Sequence, residues 1–251
     1  MMGRGSLVRT AIISDIHGNL TALEAVLADL QITAPDLILH GGDLADNGSS
    51  PVEVVDMLQS AGWQGVVGNT DEMLSTPSAF EEFAAQLPSL ETIWAPAREM
   101  AAFTRDLLGA DRLAWLRGLP KTQAHGAVAL VHASPESRWR SPFRQATDAE
   151  LEQAYQDVPQ PTVVYGHIHT PFVRHLSDTA QPGRCIANSG SVGQSHDGDR
   201  RAAYLLLDDS VPTIRRVEYD VDRELKALSA CGLPYADWVK RIIQTASPQM
   251  P

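Results

Sequence analysis

Seven side chains in this sequence have the types needed to hold metal ions, and they recur in one local setting. They are Asp15 and His17, then Asp43, then Asn69, then His132, then His167 and His169. Each group follows an apolar stretch and lies beside glycine, as in Gly42-Asp43, Gly68-Asn69 and Gly166-His167-Ile168-His169. Glycine lets the backbone turn sharply and lets bulky groups approach closely. Asp, Asn and His together make a mixed oxygen and nitrogen donor set. Such a set suits Mn, Fe, Zn, Co or Ni better than Ca or Mg, which favour oxygen alone. Each piece is commonplace by itself, since Gly-Asp and Gly-Asn are usually turns and a lone histidine usually sits hydrogen-bonded in a core. His-x-His says more: on a strand both imidazoles would face one way. The conjunction of all the pieces, in a chain with only 8 histidines, is what points to a metal site.

The elements that must position these residues are legible from hydrophobic spacing. Leu7 to Ser14 reads as a buried strand and Thr21 as a helix cap, followed by apolar positions at helical spacing from Ala22 to Leu30. Asp36 to His40 is a second strand, Ser50-Pro51 opens a second helix ended by Gly62, and Gln64 to Val67 is a third strand. This βαβαβ alternation predicts parallel strands with right-handed crossovers, whose functional groups collect beyond the carboxyl ends. Glu72 to Leu119 reads as helical, broken at Pro77, Pro88, Pro96 and Gly109. Ala127 to Val131 and Thr162 to Tyr165 are strands, with a short helix over Thr147 to Tyr155 between them. Four strand-like runs follow (Phe172 to Leu176, Arg184 to Ala187, Ala202 to Leu207, Ile214 to Tyr219), read as antiparallel additions to a sheet. Helices over Val221 to Ala230 and Tyr235 to Thr245 end the chain and could pack on their own domain or on a second copy. Met1 to Ser6 reads as a loose terminus.

Composition narrows the partners. The chain has 251 residues, is 43% hydrophobic, and lacks any linker-like tract, so one domain over residues 1–251 is expected. Asp plus Glu number 31 against 20 Lys plus Arg, a formal charge of −11. That balance disfavours long nucleic acids and anionic membranes but allows a small anionic substrate where metals make one pocket positive. Cys185 and Cys231 fit no zinc or redox motif and read as ordinary thiols of a reducing compartment, so a cytoplasmic location is expected. No stretch near the start is long and apolar enough for a leader or a membrane span.

The set Asp15-Ile16-His17, Gly42-Asp43, Gly68-Asn69, His132 and Gly166-His167-Ile168-His169 resembles the signature of the calcineurin-like metallophosphoesterases. Asp15 to Leu20, Val131 to Pro135 and Asn188 to Gln194 resemble a branch of small prokaryotic phosphodiesterases, as do Asp197 to Ala202 and Tyr219-Asp220-Val221. The resemblance implies an α+β fold, a four-layer αββα sandwich of two mixed sheets flanked by helices. It implies two divalent transition-metal ions, manganese foremost. Asp15, His17, Asp43 and His169 would hold the first, and Asp43, Asn69, His132 and His167 the second, with Asp43 bridging. It further implies in-line attack on a small phosphoester by a hydroxide shared between metals about 3.5–4 Å apart.

One position departs from the family pattern. Many members carry histidine after the Gly-Asn pair, where it protonates the leaving group; here Thr70 stands there, followed by Asp71. Asp71 is expected to be partly solvated and ionised, and to orient or stabilise rather than act as the acid. The implied activity is a phosphodiesterase, with Asn69 and Asp71 as its further catalytic candidates. The alternatives are a phosphomonoesterase or nucleoside-polyphosphate hydrolase, and a non-catalytic interaction module of the same fold. His40 could orient a ligating residue. His196 and Arg200 read as a solvated loop able to reach a phosphate. Arg138, Arg140 and Arg144, with Trp139 and Phe143, could bind a nucleotide through charge and stacking.

Overall fold

The computed structural model describes residues 8–177, 180, 183–209 and 211–251. Met1 to Leu7, which include the loose terminus and the first residue of the expected first strand, lie outside them. The first half of the chain runs β1 (Thr10–Ile13), α1 (Leu20–Thr33), β2 (Leu37–His40), α2 (Pro51–Ala61), β3 (Gln64–Gly65), α3 (Asn69–Ser75), α4 (Pro77–Ala84) and α5 (Glu91–Gly118). The second half runs β4 (Thr122–His125), β5 (Val128–Val131), α6 (Asp148–Tyr155), β6 (Thr162–Tyr165), β7 (Phe172–His175), β8 (Cys185–Asn188), β9 (Ala202–Asp208), β10 (Val211–Val217), α7 (Val221–Ala230) and α8 (Ala236–Thr245).

The strands form two five-stranded mixed sheets, ordered β10-β9-β1-β2-β3 and β4-β5-β6-β8-β7. In the first, β1, β2 and β3 are parallel, while β9 and β10 add antiparallel. In the second, β5, β6 and β8 are parallel. The late strands are therefore not all antiparallel additions: β8 runs parallel to β6, and only β7 returns against it. β4 was not anticipated from the sequence. Its Thr-Gln-Ala-His run is half exposed, and pairing with β5 rather than local propensity makes it a strand.

Side-chain alternation along the strands builds the layers. Ala11 and Ile13 face α1, α2 and α5, whereas Ile12 between them faces the other sheet. Ile12, Leu39, Val66, Leu205 and Leu207 of the first sheet meet Val128, Leu130, Val164 and Ala187 of the second. On the far side, Ala129, Val131, Val163, Tyr165 and Ile186 pack under Leu151 and Tyr155 of α6. The result is the αββα sandwich. The two C-terminal helices pack on their own chain, with Leu228, Leu233, Val239 and Ile243 against Met100 and Phe103 of α5. No helix among the described residues is long and apolar enough to cross a membrane.

Some boundaries differ from the sequence reading for local reasons. Asn19, not Thr21, caps α1, its side chain accepting from Ala22 N at 2.9 Å; Thr21 lies in the first turn and donates to Glu224. Pro96 does not end a helix. α5 runs through it and is interrupted at Gly109, whose φ of 69° is readily adopted only by glycine.

His40 is fully buried at the end of β2, against the Trp115 ring at 6.0 Å, and neither ring nitrogen has a hydrogen-bond partner. It does not orient a ligating residue through a hydrogen bond. Burial pushes its pKa down to about 4. The imidazole thus stays neutral in the fold, while the unfolded chain takes up a proton below pH 6.5 or so. Stability is lost as pH falls from about 6.5 toward 4, by an amount on the order of 2–3 kcal/mol from this one group. His40→Leu should shed that share: urea unfolding of metal-free protein at pH 6.5 and 4.5 should show a smaller loss in the variant. An identical loss in both proteins would refute it.

Candidate metal centre

The parallel strands of both sheets deliver their carboxyl ends to one place. β1 leads into Asp15 and His17, β2 into Asp43, and β3 into Asn69, the first residue of α3; β5 leads into His132, and β6 into His167 and His169. Asp15, His17, Asp43, His167 and His169 all have positive φ, between 49° and 67°. Left-handed backbone is strained for residues with a Cβ and persists where surrounding structure holds it. His167 and His169 consequently do not lie on a strand with both rings on one face. They sit in a turn after β6, and the backbone conformation aims them. Two glycines make the close approaches possible: a Cβ on Gly68 would overlap the Asp43 carboxylate, and one on Gly166 would overlap that of Asp15.

Asp15, His17, Asp43 and His169 form a buried cluster whose ligand atoms lie within 4.8 Å of one another. His17 Nδ1 is 3.0 Å from Asp46 O, and His169 Nδ1 is 2.6 Å from Gln194 O. Those carbonyls can only accept, so each Nδ1 carries a proton, and in the neutral imidazole each Nε2 presents a lone pair. The two Nε2 atoms face each other at 3.2 Å. His169 Nε2 is also 3.2 Å from Asp15 Oδ1, and His17 Nε2 is 3.7 Å from Asp43 Oδ2. Four electron-rich atoms converging out of water fit a cation, and carbonyl-fixed imidazoles are the usual way ligands are oriented toward one.

The second group shares Asp43 with the first. Asp43 Oδ1 is 3.5 Å from His132 Nε2, and it accepts from Thr70 N at 2.9 Å. His132 Nδ1 donates to Gly41 O at 2.8 Å, leaving Nε2 as a lone pair 2.8 Å from Asn69 Oδ1. His167 Nδ1 lies 2.8 Å from the same oxygen. Neutral His132 thus turns an acceptor toward Asn69 Oδ1, the oxygen that His167 Nδ1 also meets. All seven side chains singled out in the sequence are thus brought together, six of them buried and His167 partly so.

Electrostatics follow from this crowding. Burial alone would raise the Asp15 carboxyl, but His169, His132 and His17, in their protonated forms, outweigh it and hold it well below the usual carboxylate range. Burial, together with a protonated His132, pushes His167 down to about 4, keeping its lone pair available.

Asp71 is not partly solvated. It is 0% exposed, and its carboxylate accepts from Asp43 N at 2.8 Å, Leu44 N at 2.9 Å and Gly68 N at 2.9 Å. Burial and the adjacent Asp43 raise its pKa to about 7, against the pull of the Leu44 and Gly68 amides.

In the Arg/Trp cluster one arginine balances local acid, and the aromatic ring is packed within the chain. Trp139 stacks on Phe83 at 4.7 Å and donates through Nε1 to Glu72, which also pairs with Arg138. Arg140 donates to Gln86 and lies over the Phe83 ring. These side chains brace α3, which begins at Asn69, against the loop that follows His132; Phe143 is 70% exposed. Hydrophobic and basic character alone could not distinguish a brace from a nucleotide platform.

Other groups at the site come from the Asn188 to Gln194 stretch and the loop after it. Ser191 Oγ donates to Asp15 O at 2.7 Å, and Gln194 Nε2 donates to Asn47 O at 2.9 Å. His196 is no solvated loop residue: its ring stacks on His169 with centroids 4.3 Å apart, and burial and the adjacent His169 and His17 push its pKa to about 2. Arg200 is exposed.

Residues 8–210 match the calcineurin-like phosphoesterase superfamily domain. Over 247 residues the chain is 28% identical to an uncharacterised protein of Methanocaldococcus jannaschii, covering 91% of this chain and 94% of that one. The crystal structure of a metallophosphoesterase from Sphaerobacter thermophilus is similar with a TM-score of 0.76 at 27% identity, covering 96% of this chain and 100% of that one. A hypothetical protein from Pyrococcus horikoshii OT3 shares the fold with a TM-score of 0.81 at 17% identity, covering 97% and 100%. With a buried Asp/His cluster at the carboxyl ends of two facing sheets and this match across most of its length, the chain belongs to the calcineurin-like phosphoesterase superfamily.

Proposed function

We propose that the protein is a binuclear metal-dependent phosphodiesterase acting on a small phosphoester. The observation that carries this reading is the pair of facing Nε2 lone pairs of His17 and His169, 3.2 Å apart beside two buried carboxylates. With both rings neutral, that arrangement is repulsive until a proton or a metal cation lies between them, and the adjoining carboxylates complete a ligand set for a metal. Asp15, His17, Asp43 and His169 would hold one divalent cation, and Asp43, Asn69, His132 and His167 a second. Two such ions supply an activated water and positive charge for the phosphoryl oxygens. Manganese, iron, zinc, nickel and cobalt all suit the donor set. The filled ligand positions argue against a purely non-catalytic module.

The chain's own residues set the limits of the chemistry. Thr70 cannot release a proton near neutral pH, and Asp71 is committed to three backbone amides rather than to a substrate. Asp71 is therefore a positioning residue that fixes the Asp43 loop against Gly68; although burial and Asp43 lift its pKa to about 7, it is enclosed and turned to the amides, not toward a leaving group beside Asn69. A diester whose leaving group departs without protonation fits such a site. The net charge of −11 favours small substrates over long nucleic acids, and the two free thiols fit a cytoplasmic protein.

Purified protein should contain bound transition metal and hydrolyse bis-p-nitrophenyl phosphate when Mn, Fe, Zn, Ni or Co is supplied. Absence of hydrolysis with every metal would remove the phosphodiesterase reading. Across a series of aryl and alkyl diesters the rate should fall steeply as leaving-group pKa rises, since missing acid catalysis costs roughly 10²–10⁴-fold for poor leaving groups. A flat series would place an acid in the site after all.

Asp71→Asn offers one acceptor oxygen where three amides need two. It should lower stability by roughly 2–4 kcal/mol and reduce metal content, read by thermal unfolding and elemental analysis. Unchanged melting and metal content with a large drop in kcat would instead make Asp71 the acid.

A further inference from the structure

The Nε2 atoms of His17 and His169 face each other at 3.2 Å, but the two carbonyls that orient the rings belong to loops far apart in the chain. Asp46 O, 3.0 Å from His17 Nδ1, lies between β2 and α2; Gln194 O, 2.6 Å from His169 Nδ1, lies between β8 and β9. One side chain joins the two loops. Gln194, only 5% exposed, donates through Nε2 to Asn47 O at 2.9 Å, one residue beyond the Asp46 carbonyl. The same residue therefore carries the acceptor for one imidazole and grips the backbone that carries the acceptor for the other, across 147 positions of sequence.

Both ends of this link are set. Gln194 N donates to Ser191 Oγ at 2.8 Å, and Ser191 Oγ donates to Asp15 O at 2.7 Å. Gly193 N donates to the same Asp15 carbonyl at 3.0 Å, so Gln194 is tied to the end of β1. At the other end Asn47 has a φ of 68°, a left-handed conformation that costs a residue with a Cβ and persists where neighbours hold it. The next residue, Gly48, lies so close to the His17 backbone that a Cβ there would overlap His17 O. A shift of the 46–48 segment would thus move both the acceptor for His17 Nδ1 and the backbone of His17. The second group hangs elsewhere: His132 takes its direction from Gly41 O.

We infer that Gln194 is a positioning residue of the first cation site, whose side-chain amide fixes the 46–48 backbone relative to its own carbonyl and so sets the separation of the His17 and His169 Nε2 atoms. This rests on the reading of the cluster as a pair of cation sites, and it assigns a role to a side chain outside the ligand set. Groups that hold ligating residues in place typically matter roughly tenfold to a hundredfold in metal affinity. Because Gln194 bridges the carbonyls of only one group, its loss should weaken one site and spare the other.

The test uses full-length protein stripped of metal and titrated with Mn(II) alone by calorimetry. Gln194→Met keeps the length of the side chain and removes the donor; Gln194→Asn keeps the amide but is one carbon too short to reach. His17→Ala marks which binding step belongs to the first site. Leu228→Ala is the control for general destabilisation, since Leu228 packs with Met100, Val239 and Ile243 rather than with either loop. Wild type should bind in two steps. Gln194→Met and Gln194→Asn should weaken, by about tenfold to a hundredfold, the step that His17→Ala abolishes, and leave the other unchanged. The visible absorption of the Co(II)-loaded Gln194→Met protein should differ from that of wild type. Leu228→Ala should melt earlier and keep both steps. Wild-type affinities in both Gln194 variants overturn the inference. Equal weakening of both steps, or the same selective loss in Leu228→Ala, overturns it too, because the effect would then be general loosening. Should wild type bind metal but hydrolyse no diester, the phosphodiesterase reading fails alone, and the two affinities still decide the role of Gln194. Should wild type take up neither Mn(II) nor Co(II), the cation-site reading and this inference fall together.

Discussion

The structure depends on an unfavourable convergence: imidazole lone pairs and carboxylates packed out of water with their electron-rich atoms toward one another. His17 Nε2 faces His169 Nε2, and His132 Nε2 faces Asn69 Oδ1. Buried anions and unpaired acceptors are costly unless opposite charge or donors reach them. The protein supplies some donors itself, among them the His167 amide to Asp15 and the Thr70 amide to Asp43. The Nε2 atoms of His17, His169 and His132 receive no such backbone donor and face one another or Asn69. The carbonyls of Asp46, Gln194 and Gly41 lock the three histidines so that those lone pairs cannot turn away.

Neither sheet carries the site alone. The first provides Asp15, His17, Asp43 and Asn69; the second provides His132, His167 and His169. They are joined by the apolar layer that Ile12, Leu39 and Leu205 make with Leu130 and Val164, and by polar links at its edge. His132 reaches Gly41 O, and His167 N reaches Asp15. Glu72 ties α3 to the loop beyond β5 through Arg138 and Trp139. The geometry of the cluster is therefore a property of how the sheets pack, and disturbance of the inter-sheet core should be felt there before the fold is lost.

Much of this was legible because it follows local rules. β6 is an uninterrupted apolar run ended by glycine, and α2 begins at Ser50-Pro51 and stops at Gly62 as turn chemistry dictates. The seven polar residues stood out because each ends such a run. What stayed hidden is set by tertiary context. β4 exists only through pairing with β5. The left-handed turn at His167 and His169 departs from strand alternation because Asp15 and Asn69 hold it there. Asp71, in a polar stretch that reads as exposed, is buried because three amides from two loops close on it. His196 gave no periodic signal, and its ring gains meaning only from His169 beneath it.

The segment Gly68-Asn69-Thr70-Asp71 shows how one stretch of backbone limits the chemistry open to the site. Gly68 admits the Asp43 carboxylate where any Cβ would collide with it. Asn69 turns its oxygen to His132 and His167, Thr70 gives its amide to Asp43, and Asp71 gathers the amides of Asp43, Leu44 and Gly68. Gly68, Thr70 and Asp71 are thereby engaged in holding Asp43, which is 2% exposed, and Asn69 holds the two histidines beside it. A segment so committed to placing one carboxylate has little freedom to serve any other end, and the rigidity that orients the cluster is built from the same amides that fix this turn.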